Sequence, residues 1–158
     1  METYMDKRFF SIFLSVIFVF LSLPLLSAQS NEIIDQLLEQ EEASFALSAY
    51  MVLSAVGEVP EDAAPGRAIE VLNAQKWDLA PPSPDGVITL GEYSYLLMKA
   101  FNMKGGIMYS IFPGPRYAAR ELAFRNLVRG NSAAGRTISG NEVMRILGRA
   151  LEQRGENL

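Results

Sequence analysis

Residues Arg67–Phe101 lie over Tyr117–Leu151 without a gap, each position matched by one fifty further along the chain. Ala68, Leu72, Ile88, Glu92, Leu97 and Ala100 meet Ala118, Leu122, Ile138, Glu142, Leu147 and Ala150. Conservative pairs join them: Thr89 with Ser139, Leu96 with Ile146, Lys99 with Arg149, and Phe101 with Leu151. A period of this size means that one supersecondary unit occurs twice, and that stacking the two copies builds a shared core.

The repeated positions have mechanical jobs. Thr89-Leu90-Gly91-Glu92 and Ser139-Gly140-Asn141-Glu142 both read as capping boxes, in which a hydroxyl takes an orphan amide and the Glu reaches back to the cap's own N–H. Ile88 with Tyr93, and Ile138 with Val143, stand at the staple positions on either side of each cap. Behind them come two apolar stripes: Tyr93, Leu96, Leu97, Ala100 and Phe101, then Val143, Ile146, Leu147, Ala150 and Leu151. Both follow the spacing of a helix buried along one side. A shorter helix opens each copy, over Arg67–Trp77 after Pro65-Gly66 and over Arg116–Val128 after Gly114-Pro115. Trp77 and Leu127 are equivalent and should close the core at the ends of these helices. The loops Ala80–Val87 and Gly130–Thr137 separate the two helices of each copy.

The expected fold is therefore all-α: tandem helix-loop-helix units packed as one small helical domain, preceded by a long helix from about Asn31 to Val56. Residues 29–64 hold that helix and a loop, 65–103 the first unit, 104–114 a linker, and 115–154 the second unit. Glu42, Ser44 and Leu47 stand fifty before Glu92, Ser94 and Leu97, so the long helix also reads as a partial third copy. Gly148 weakens the last helix and Gly155 ends it.

The unit Ile-[Thr/Ser]-x-x-Glu, opening a second helix after a loop of about eight residues, resembles the S-layer homology repeat. Ile88, Thr89, Glu92, Leu96, Leu97 and Phe101 carry the likeness in one copy, and Ile138, Ser139, Glu142, Ile146, Leu147 and Leu151 in the other. Val128-Arg129-Gly130 is similar to the family's ending of the first helix. The resemblance implies repeats set around a pseudo-threefold axis, in exported proteins held to anionic cell-wall polymers. The family's arginine directly after the Thr is replaced here by Leu90 and Gly140. The alternative is a degenerate EF-hand: Ser83, Asp85, Gly86, Ile88 and Glu92 fall at loop positions 3, 5, 6, 8 and 12, but Pro81 stands at position 1. Neither reading requires a resident cofactor or metal.

At the N-terminus, Lys7 and Arg8 precede an apolar run from Phe9 to Leu26, and Leu26-Ser27-Ala28 follows. Charge, apolar core and small-residue site read as a signal peptide over residues 1–28, the competing reading being an uncleaved membrane anchor. The chain has neither His nor Cys. That removes Ser-His-Asp and Cys-His catalysis, His/Cys zinc sites, disulfides and a lipid-modified cysteine. The expectation is a non-enzymatic interaction module of the cell envelope, periplasmic or secreted.

Charge divides the chain. Residues 29–92 carry twelve acidic and two basic side chains, and residues 93–158 carry four and ten, a split of −10 against +6. Nucleic acid is not an expected partner for an exported, acidic protein. Arg116 and Arg120 share a helix face, Arg125 and Arg129 form a second pair four apart, and Glu121 can pair with Arg125. In one reading these arginines pair with the acidic half and hold the units together. In the other, Arg116, Tyr117 and Arg120 rim a surface for an envelope protein or anionic cell-wall polymer, since guanidinium forks suit carboxylates and phosphates. The membrane itself is a partner only if the N-terminal segment is retained. Met98, Met103, Met108 and Met144, and Tyr93, Tyr95 and Tyr109, read as core or near-core residues.

Overall fold

A computed structural model describes residues 31–79 and 86–155. The expected signal segment, most of the loop Ala80–Val87 and the tail after Gly155 lie outside the described residues. The fold is all-α, a small helical domain. Residues 31–38 are helical and belong to α1. There follow α2 (Phe45–Ala55), α3 (Gly66–Gln75), α4 (Leu90–Ala100), α5 (Ile107–Ile111), α6 (Pro115–Phe124) and α7 (Gly140–Gly155). Among the described residues no helix is long and apolar enough to cross a membrane.

The long first helix expected from Asn31 to Val56 is instead two helices. The break has a polar cause. The N–H of Ala43 donates to the carbonyl of Ile138, and its own carbonyl accepts from Ile88 N–H at 2.9 Å. A continuous helix would have used both groups internally. The Gln40 side chain holds the turn by accepting the Ser44 N–H at 2.7 Å.

Three such junctions hydrogen-bond in a closed round. The first N–H of α2, from Phe45, donates to Gly86 C=O just before α4. That of α4, from Leu90, donates to Arg136 C=O before α7, and that of α7, from Gly140, to Gln40 C=O before α2. Each bond satisfies an amide that a helix start leaves without an internal partner. Isolated bridges pair Ser44 with Val87 and Thr89 with Thr137 at the same place. Ser44 therefore precedes α2 as Thr89 precedes α4, forty-five residues apart. The spacing of fifty that set Ser44 against Ser94 is out of register here, because the connection from α2 to α3 (residues 56–65) is shorter than that from α4 to α6 (residues 101–114), which holds α5.

Helix partners also differ from two self-contained hairpins. α3 packs on α2 rather than on α4, while α4 packs on α6, and α2 on α4 and α7. The stripes nonetheless meet inside. Leu96, Leu97, Ile146 and Leu147 are buried in one cluster with Leu37, Phe45, Leu53, Leu72 and Leu122. Burying each such side chain contributes on the order of 2 kcal/mol. Leu127 is buried, and Trp77 is half-buried against the same cluster.

The shorter helices end earlier than expected. Lys76 takes the left-handed conformation after α3 (φ 52°), and Asn126 does so after α6 (φ 59°). A left-handed residue stops the helix there, so Trp77 and Leu127 lie just past the ends, while α7 runs to Gly155. One close contact fixes α7 on α1: a Cβ on Gly140 would stand 1.6 Å from the Leu37 carbonyl oxygen.

Candidate functional site

The two capping sequences diverge in use. At α4 the box is complete: Thr89 Oγ1 accepts from Glu92 N–H, and Glu92 Oε2 accepts from Thr89 N–H at 2.8 Å and from the Thr89 hydroxyl at 2.7 Å. Glu92, which an EF-hand loop would present at position 12, is thus bonded at the helix cap. The rest of that loop, residues 80–85, lies outside the described residues. At α7 only half of the expected box forms. Ser139 Oγ accepts from Glu142 N–H at 3.3 Å, but the Glu142 carboxylate turns to Arg136. Arg136 Nη1 meets Glu142 Oε2 at 2.8 Å, Nη2 meets the other oxygen, and Nε holds the Asn131 carbonyl at 2.7 Å. A planar guanidinium fork gives a carboxylate two bonds between opposite charges, where the cap amide offers one bond from an uncharged donor. The hydrogen bond to Glu142 holds the Arg136 guanidinium above its ordinary pKa. Arg136 was not singled out by sequence reasoning. It stands six residues before its Glu, a separation that only the fold of the loop brings together.

The arginines separate into distinct roles. Arg125 donates from Nε to Glu121 Oε1 at 3.1 Å and from Nη2 to the Lys104 carbonyl, tying the linker to α6. Glu121 also accepts the Gly106 N–H at 2.9 Å. The Glu121–Arg125 pair is as the spacing predicts. The Arg125–Arg129 face is not, because α6 ends at Phe124 and Arg129 lies exposed beyond it. The ion pairs among the described residues are Arg67–Glu70, Arg125–Glu121 and Arg136–Glu142, all within one half of the chain. Among the described residues, then, these arginines make no ion pair with the acidic half.

Arg116 and Arg120 remain. Both are exposed on α6 and, among the described residues, neither meets a carboxylate at ion-pair distance. They line one cleft with Ser132, Ala133, Ala134 and Gly135 from the loop before α7. The Arg120 guanidinium lies 5.9 Å from the centroid of the Tyr117 ring, and the Phe112 ring stacks with Tyr117 at a centroid distance of 6.3 Å. Arg116, Tyr117 and Arg120 thus sit together as expected. The loop contribution, Ser132 above all, was missed, since nothing in the sequence says which loop faces α6.

The position after each cap, where the resembled family has its arginine, is filled differently. Leu90 and Phe45 are fully buried there, and Gly140 packs against Leu37. Among the described residues no cluster of acidic side chains could hold a metal ion.

No protein-family model matches the chain. A search of curated proteins gives no match, and a search of solved structures gives none either.

Proposed function

We propose that this chain is an exported, non-catalytic interaction module of the S-layer homology type. It binds an anionic component of the cell envelope, a wall polysaccharide or an acidic protein, through the α6 cleft of Arg116, Arg120 and Ser132. The observation that carries the reading is that Arg116 and Arg120 share one cleft and stay clear of every described carboxylate, while Arg125 and Arg136 are spent on local pairs. Tyr117 holds the Arg120 guanidinium in place, so less freedom is lost when an anion binds. The closed round of hydrogen bonds among the starts of α2, α4 and α7 supports the repeat reading, with residues before Ser44 as the shortened third unit. The buried Leu90 and Phe45 support moving anion binding from the caps to α6, since the cation beside those junctions, Arg136, is already taken by Glu142.

The test is co-sedimentation of the full chain with purified anionic wall polymer. Wild type is expected to sediment with the polymer, and Arg116→Ala/Arg120→Ala to bind at least about tenfold more weakly with an unchanged thermal melt. A folded double variant that binds as wild type does would remove the proposed site.

A further inference from the structure

A second surface adjoins this cleft. α5 buries none of its residues. Ile107 is 79% exposed and Phe124, on α6, is 83% exposed. Met108, Ile111 and Phe112 are also exposed, whereas the large apolar side chains exposed elsewhere among the described residues are Val87 and Leu151 alone. The apolar surface left in water is therefore concentrated on one face, which marks an interaction site. A groove between the two helices is lined by Ile107, Met108, Tyr109, Tyr117 and Phe124, with Arg120 at its edge. Lys104 precedes α5, and Arg116 lies one helical turn from Arg120. The acid of this face, Glu121, is largely covered and takes up Gly106 N–H and Arg125. The face is thus apolar with a cationic fringe and no open carboxylate.

We infer that α5 and the exposed side of α6 rest on an anionic lipid surface, with Ile107, Met108, Ile111, Phe112 and Phe124 entering the interface and Lys104, Arg116 and Arg120 meeting the headgroups. Charge favours lipid in this orientation. Apolar side chains ringed by Lys and Arg gain from both burial and headgroup attraction. The sequence also carries an apolar N-terminal run, Phe9–Leu26, of the kind that brings a chain to a membrane. This inference shares Arg116 and Arg120 with the wall-polymer reading but stands on apolar side chains that the polymer cleft does not use, so Ile107→Ser/Phe124→Ser tests it alone.

The chain has no cysteine, so a single label reports one position. The full chain carrying Met108→Cys with an environment-sensitive fluorophore is mixed with vesicles of phosphatidylglycerol and phosphatidylcholine, or of phosphatidylcholine alone. Asn73→Cys, exposed on α3, is the control. The expected result is a blue shift and several-fold quenching by doxyl lipid at position 108 with the anionic vesicles only. Both are lost at high ionic strength and in Ile107→Ser/Phe124→Ser, while position 73 stays in water throughout. The N-terminal segment is present in every arm and does not separate them. A label at 108 that stays as wet as that at 73 would overturn the inference. So would an equal response to uncharged vesicles, or a shift that appears on concentrating the protein without lipid, which would place a second copy on this face.

Discussion

The hydroxyl of Tyr93 donates a 2.9 Å hydrogen bond to the carbonyl of Val143, the residue fifty positions further on. Both are staple residues, and both are fully buried. The first turn of α4 is thereby tied to the first turn of α7 through the one polar atom that Tyr93 carries into the core. Tyr93→Phe keeps the ring and removes only this bond. It should cost about 1 kcal/mol, the net contribution of one buried hydrogen bond. Urea unfolding followed by circular dichroism measures this, and an unchanged midpoint would mean that the bond contributes nothing.

Burial pushes the Tyr93 phenol well above its ordinary pKa, and pushes Tyr109 up to about 12, with Tyr95 adding to the shift. Burial also raises Tyr50, whose hydroxyl donates to the Glu61 carbonyl. In each case the folded chain holds the proton more tightly than the unfolded chain, whose tyrosines titrate near about pH 10. The contribution is complete below that value and is lost as pH rises, through about 12 for Tyr109 and beyond it for Tyr93. Denaturation midpoints should thus be level on the neutral side and fall above about pH 10. Tyr93→Phe/Tyr109→Phe should fall less steeply over the same range.

Two glycines of α7 should respond in opposite directions. Gly140→Ala places a methyl group into the Leu37 carbonyl and should destabilise by about 3 kcal/mol. Gly148→Ala meets nothing within 4 Å and should stabilise by about 1 kcal/mol through helix propensity. Melting temperatures of the two variants decide this, and equal shifts would contradict the close contact.

The caps should also be unequal. Thr89→Ala removes a complete box and should cost about 1–2 kcal/mol. Ser139→Ala loses a single long bond and should cost about 0.5 kcal/mol. Arg136→Met should cost more than Ser139→Ala, since it leaves Glu142 without its fork. Equilibrium unfolding of the three variants checks the order.

What the sequence disclosed was the chemistry that acts over one or two turns. Thr89 with Glu92, Ile88 with Tyr93, and the stripes through Leu97 and Leu147 are set by neighbours in the chain, and they lie where spacing puts them. The break before α2 was not legible, because the groups that end α1 are taken by Ile88 and Ile138, far along the chain. The extent of α6 was misjudged for a smaller reason: Asn126 adopts a left-handed conformation inside an otherwise helical pattern, and Arg129 leaves the face of Arg125. In the candidate site, Arg116, Tyr117 and Arg120 followed from helical spacing alone. Ser132 and the apolar face of Ile107 and Phe124 did not, since the sequence does not say which side of a short helix the core will leave uncovered.

The last junction to close has a consequence for how the chain acquires its fold. Asn141 Nδ2 reaches the Leu38 carbonyl, 103 residues away, beside the bond from Gly140 to Gln40. A nascent chain cannot complete that seam until α7 has been delivered, so a shorter fragment keeps Leu37 without the cover of Gly140. Assembly therefore waits on the end of synthesis, and the domain should gain protection from proteases in one late step rather than unit by unit.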